Sequence, residues 1–309
     1  MEKCKVSNLL LLAFLFLFVF SSVFALENQN SEKDPGKLRI LVFGAHPDDC
    51  ELKAGGVAAL WVAQGHQVKF VSTTNGDIGH AEMAGGALAK RRTAEVEKAA
   101  EILGIETRVL DIHDGEILPT LENRKTFVRL IREWKADIVM AHRPNDYHPD
   151  HRYTGILMQD AAYMVTVTFF CPDVPQLAQN PIFLFLSDNF QKPNPFEPDM
   201  VVGTDEVFEQ KVKAIWTLES QIESLWATGN FEKVVPIPQD TKGRQERFKV
   251  THDRIARRDG GVANKYRDKL IEIYGPEKGK NFKYAEAFEV CEYGRQPSFE
   301  ELKALFPVK

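Results

Sequence analysis

Residues 43–51 read FGAHPDDCE, and residues 142–151 read HRPNDYHPDH. Each stretch sets His and Asp side chains around a proline, directly after a short apolar run. Imidazole nitrogen and carboxylate oxygen are donors that zinc accepts, and a catalytic zinc site keeps one position open for water beside its protein ligands. His46, Asp49 and His151 would supply such a His-Asp-His set. A bound metal lowers the pKa of its water towards neutrality. A nearby carboxylate must then take the proton, and Asp48, beside a ligand, is the natural base. His148 precedes His151 in the same motif and can face the oxyanion of a tetrahedral intermediate. Asp150 can hold a histidine ring in the right tautomer. Iron or cobalt suits the same donors, so the ligand set alone leaves the metal open. One His-Pro-Asp turn is most simply a helix cap. Two such turns with complementary donors are harder to explain that way.

Motifs so distant in sequence must be joined by the fold. Leu38–Phe43 reads as a strand, residues 51–65 as a helix and residues 68–73 as a second strand. A Gly-rich loop, a helix over 87–103 and a strand over 107–112 follow. Further on come a helix over 126–134, a strand over 136–142, a helix over 153–165 and a strand over 182–186. This alternation predicts an α/β fold, a Rossmann-like mostly parallel sheet with helices on both faces. Ligands of such sheets bind beyond the carboxyl ends of the strands, which puts both motifs on one edge. No G-x-G-x-x-G follows the first strand, and this argues against a dinucleotide-dependent oxidoreductase. The last third predicts a long helix over 205–226, another over 244–258 and a strand within 284–294, completing one domain from 37 to 309.

The formal net charge of -5 offers no basic field for nucleic acid. Lys3 and Lys5 precede an unbroken apolar run, Leu9–Phe20, and Val23-Phe24-Ala25 resembles a cleavage site. Residues 1–25 therefore read as a signal peptide and 26–36 as a polar linker, predicting a secreted or periplasmic protein. An uncleaved membrane anchor is the alternative. With the leader removed, no stable membrane partner is expected, and a homo-oligomer is compatible with this reading. Cys50, Cys171 and Cys291 are too few and too scattered for a disulfide framework, although a Cys171–Cys291 bridge is open.

AHPDDCE paired with HPDH resembles the LmbE-like, PIG-L-type deacetylases, and HRPNDYHPDHR looks similar to the branch acting on glucosaminyl-malate-type precursors. The resemblance covers about residues 38–155. It implies a zinc-dependent hydrolase removing N-acetyl groups from N-acetylglucosamine units, with a small-molecule or oligosaccharide amino sugar as partner. It also implies His46, Asp49 and His151 as zinc ligands, Asp48 as base and a protonated His148 as electrophile. By the same resemblance Arg92, in the Arg92-Thr93-Ala94-Glu95 stretch, contacts substrate hydroxyls and Asp114 binds the sugar. Cys50 separates Glu51 from the motif, which puts the role of Glu51 in doubt. A zinc hydrolase of another amide, such as a peptide or thiol conjugate, and a non-catalytic metal-dependent carbohydrate-binding protein remain as other readings. Asp77 and His80 sit where a substrate wall or a plain surface turn would serve equally. His113 and Arg91 read as surface residues, and His142 as either a support of the site or packing. Trp61, Trp216 and Trp226 read as core.

Overall fold

Alternation along β1 (Arg39–Gly44) decides how the chain packs. Ile40 and Val42 enter one core, Leu41 and Phe43 another, and all are fully buried. Successive strand residues face opposite sides, so this strand must be covered on both faces. The computed structural model describes residues 36–226 and 233–308, with only the backbone described at 225 and 226. The expected leader and all but the end of the linker lie outside these residues. Among the described residues, no helix is long and apolar enough to cross a membrane.

The sheet adds β2 (Gln67–Ser72), β3 (Glu106–Val109), β4 (Ile138–Ala141), β5 (Ile182–Leu186), β6 (Met200–Gly203) and β7 (Ala285–Gly294). Its order is β3-β2-β1-β4-β5-β7-β6. Strands β1 to β5 pair in parallel. Strand β7 runs antiparallel between β5 and β6. The expected mostly parallel sheet is therefore present. Helices α1 (Asp49–Ala63), α2 (Gly86–Leu103), α5 (Phe208–Trp216) and α6 (Thr241–Lys265) cover one face. The other face carries α3 (Leu121–Trp134) and α4 (Pro149–Met164). The order in which strands are added reverses between β1 and β4, which pair directly and in parallel from Ile40↔Ile138 to Val42↔Met140. That junction is the switch point where α/β sheets bind ligands. Both motifs leave it side by side. Gly44 lets β1 pass straight into α1, because a Cβ there would lie 2.8 Å from Asp49 Cβ and 2.9 Å from Cys50 Sγ.

Several elements differ from the sequence reading. Helix α4 begins at Pro149, earlier than expected, because His148 caps it by accepting the Asp150 N–H at 3.2 Å. Proline is favoured in a first helical turn, so the motif starts the helix. The helix expected over 205–226 is broken: α5 ends at Trp216, Glu219–Gln221 forms one short turn, and residues 222–226 form a π turn. Glu95 is the cause. Its carboxylate accepts the Ser220 N–H at 2.9 Å and hydroxyl at 2.6 Å, and its carbonyl accepts from Thr217 at 3.0 Å. Helix α6 extends beyond both expected ends, and β6 and the helix Arg267–Tyr274 were not foreseen. Cys171 and Cys291 are both free thiols. Trp61 is core as expected, and Trp216 is half-buried against Phe248.

Arg132 closes the far end of α4. Its guanidinium donates to the carbonyls of Met164, Val165, Val167, Phe170, Cys171 and Val174. Helix C-terminal carbonyls carry partial negative charge and lack intrahelical donors, so a buried cation suits them. Arg132→Met should destabilise the protein by about 3 kcal/mol or more, since several buried carbonyls lose their donors together. Urea unfolding measures this, and a change below about 1 kcal/mol would count against the assigned role.

Candidate active site

The two motifs meet. Asp49 Oδ2 lies 3.4 Å from His46 Nδ1, 3.5 Å from His151 Nε2 and 3.2 Å from His142 Nε2. Zinc–ligand lengths near 2.05 Å place tetrahedral ligands about 3.4 Å apart. The first two spacings match that edge, and imidazole nitrogen and carboxylate oxygen are donors that zinc accepts. Three overlapping donor groups occur among the described residues: His46/His148/His151, Asp49/His142/His151 and His46/Asp114/Asp150. The expected His46, Asp49 and His151 are split over the first two and share His151. His142 belongs to the second of these groups. Its Nε2 lies 3.2 Å from the Ala45 N–H and 3.2 Å from Asp49 Oδ2. One tautomer accepts from Ala45 and the other donates to Asp49, while Nδ1 stays buried without a partner. Burial, with His151 alongside, lowers the His142 pKa to about 3, keeping the ring neutral.

Each histidine of the expected set rests on a carboxylate. His46 Nε2 lies 3.1 Å from Asp114 Oδ1 and 3.3 Å from Asp150 Oδ2. Burial opposes charge on His46, but Asp114, Asp150 and Asp49 outweigh it and raise its pKa. Asp150 is fully buried and also accepts the Gly115 N–H at 2.6 Å. His151 Nδ1 lies 3.1 Å from Asp146 Oδ1. Such carboxylates fix tautomer and raise ligand basicity. Asp114, implied by resemblance as a sugar contact, thus also touches the ring of His46. Asp146 was missed by sequence reasoning. Its signal was an Asp inside the histidine-rich second motif, which reads locally as a turn residue.

Asp48 stands apart from all three donor groups. Burial raises its pKa, and the Arg92 guanidinium partly offsets this. For Asp49, burial is overcome by His151 and His142, which hold the carboxyl well below the usual range. His148 spends Nδ1 on the Asp150 N–H, which leaves its proton on Nε2. Burial, His46 and His151 lower its pKa, which favours the neutral N–H donor form in this geometry.

The walls come from neighbouring loops. Asp77 is buried, accepts the Asp114 N–H at 3.1 Å and sits 2.6 Å from His113 Nδ1. His80 is not exposed: its side chain is 3% accessible and pairs with Glu223 at 3.3 Å. Arg91 is not merely solvated, since it pairs with Glu223 at 2.6 Å and Glu95 at 3.0 Å. Arg143 grips Asp188 through two nitrogens at 2.7 Å, fixing the loop after β5. Arg92 lies under the site, 2% exposed, against Asp48.

Glu51 is buried in the first turn of α1 with Oε2 unpartnered. Burial first, then Asp48 and Asp49, raise its pKa to about 8. The folded pKa exceeds the ordinary 4.5, so the neutral form is favoured on folding. Stability tied to Glu51 is complete below the ordinary value and lost as pH rises through about 8. Glu51→Gln removes that loss. In metal-free protein, its melting temperature should rise relative to wild type between pH 5 and 9, and match it near pH 4. A pH-independent difference would show that Glu51 is ionised in the fold.

A family model described as GlcNAc-PI de-N-acetylase (PIG-L) matches residues 41–162. A diacetylchitobiose deacetylase of Thermococcus kodakarensis is 32% identical over 199 residues, 61% of this chain and 72% of that one. A 4-oxalmesaconate hydratase of Pseudomonas putida is 28% identical over 197 residues, 60% of this chain and 74% of that one. Among solved structures, N,N'-diacetylchitobiose deacetylase from Pyrococcus horikoshii superposes with a TM-score of 0.61 at 22% identity, covering 94% of this chain and 95% of that one. That last likeness is one of fold.

Proposed function

This chain belongs to the PIG-L (LmbE-like) family, and from that premise we propose that it is a metal-dependent amidohydrolase removing the N-acetyl group of an N-acetylglucosamine-containing substrate. The observation that carries the reading is the meeting of Asp49 with His46 and His151 at the β1–β4 junction, with Asp48 next to Asp49 in the chain. His46, Asp49 and His151 would hold zinc, which when bound supplies a Lewis acid and a water of lowered pKa. Asp48 takes the proton of the attacking water. His148 Nε2–H donates to the acetyl oxygen as negative charge develops there. Asp48, now protonated, returns the proton to the leaving amine. Asp150, Asp114 and Asp146 keep the imidazoles oriented throughout. The apolar run Leu9–Phe20 supports an exported enzyme meeting cell-wall or environmental amino sugars.

A second reading, addition of water to an unsaturated acid, has support from the hydratase relative. Incubation with N,N'-diacetylchitobiose and N-acetylglucosamine separates the two. Deacetylation releases acetate and free amine in equal amounts. Turnover of an unsaturated acid without amine release from any acetylated sugar would overturn the proposal.

A further inference from the structure

We propose that a groove between α4 and β7 binds the sugar chain of an oligosaccharide substrate beyond its reacting unit, with Tyr163 and Tyr293 as aromatic platforms. The inference deepens the amino-sugar deacetylase reading, on which it rests, by making the substrate a chain of several sugar units.

Gln159 and Tyr163 stand four residues apart on α4 and share one face of that helix. Glu289 and Tyr293 stand four apart on β7 and share one face of that strand. Between them lie two adjoining cavities, of about 660 Å³ and 580 Å³, and both are lined by Gln159 and Tyr293. Each has the size of a small-molecule site, about 300–1,000 Å³. The second cavity reaches Arg143 and Asn145, in the motif whose Asp146, His148 and His151 build the candidate site. The first ends at Met164, the last residue of α4. The groove thus leads from the edge of the site along the helix to its far end. Tyr163 is 74% exposed and Tyr293 52%, so both rings are open to a ligand. The C–H face of a β-linked pyranose is apolar and packs on such rings, while its hydroxyl and acetamido groups need hydrogen-bond partners. The groove offers acceptors. Asn180 spends Nδ2 on the Ala162 carbonyl at 2.7 Å and leaves Oδ1 buried without a partner. Glu289 Oε2 is likewise buried without a hydrogen bond, with Arg143 3.8 Å away. A sugar hydroxyl or acetamido N–H can donate to either, and an acceptor left unbonded in the interior is costly. Arg124 gives two nitrogens to one oxygen of Asp160, at 2.9 Å and 2.7 Å, which neutralises its charge. Glu197, Asp199 and Glu292 join Glu289 in lining the second cavity, and this acidity disfavours nucleic acid or another polyanion.

The experiment uses zinc-loaded Asp48→Asn protein, so that little sugar is consumed, and the same protein carrying Tyr163→Ala with Tyr293→Ala. Both rings are exposed, so the fold should survive their loss. Titration calorimetry compares chitopentaose, the N-acetylglucosamine pentamer, with N,N'-diacetylchitobiose. The pentamer should bind about tenfold more tightly than the dimer, and the alanine pair should erase that advantage without changing the dimer's affinity. Phenylalanine at both positions keeps the rings and should keep the advantage. With Asp48 intact, the alanine pair should raise KM for the pentamer about tenfold at unchanged kcat and leave both constants for the dimer as they were. A pentamer bound no more tightly than the dimer, or bound equally well with and without the tyrosines, overturns the inference. So does sedimentation showing that the alanine pair splits an oligomer into monomers, which would assign the groove to a second copy of the chain. A wild type that releases no amine from either sugar bears only on the deacetylase reading, because the groove is judged by binding.

Discussion

His151→Ala is expected to lose zinc and, with it, all measurable amine release. His151 is the donor common to two of the overlapping groups, and its Nε2 stands 3.5 Å from Asp49. Removing even an outer carboxylate partner of a metal ligand costs about 10- to 100-fold in affinity. Losing the ligand itself should exceed that range, which competition with a chelator measures directly. The fold should survive. The ring lies over His142 with centroids 4.0 Å apart, in the first turn of an α4 anchored at its other end by Arg132. Circular dichroism of the variant checks this. Zinc binding as tight as wild type would mean that His46 and Asp49 find their third ligand elsewhere, with His142 the nearest candidate.

Asp48→Asn separates binding from chemistry. Asparagine keeps the shape of the side chain and can still meet Arg92, but it cannot accept a proton. General bases contribute about 10²- to 10⁴-fold, so kcat should fall by roughly a thousandfold. Zinc content should stay at the wild-type level, because Asp48 belongs to none of the donor groups. Amine release within about tenfold of wild type would assign the proton transfer to another group. A loss of zinc together with activity would place Asp48 among the ligands.

The parallel half of the fold was legible because its signals are local. Strands β1, β4 and β5 are short apolar runs, and α1 and α2 repeat at helical spacing before a glycine. Residues following strands of one parallel sheet emerge on one edge, so the meeting of the two motifs could be anticipated. What failed depended on distant partners. Nothing near Ser220 in sequence announces that Glu95 will draw it out of the helix. Strand β6 has only 4 residues and exists because β7 offers it a partner. Pro149 looks like a turn until His148 is seen capping the helix it begins. Asp77, Asp146 and Glu223 look like ordinary loop or surface carboxylates. Their work shows only where Asp77 meets the backbone of Asp114, Asp146 meets His151, and Glu223 ties His80 to Arg91.

The most direct test of the account is a zinc titration of metal-free protein, following bound zinc and amine release from N,N'-diacetylchitobiose in the same samples. The account predicts no amine without metal, then release that grows in proportion to bound zinc and levels off near one equivalent. Undiminished amine release from metal-free protein would contradict it.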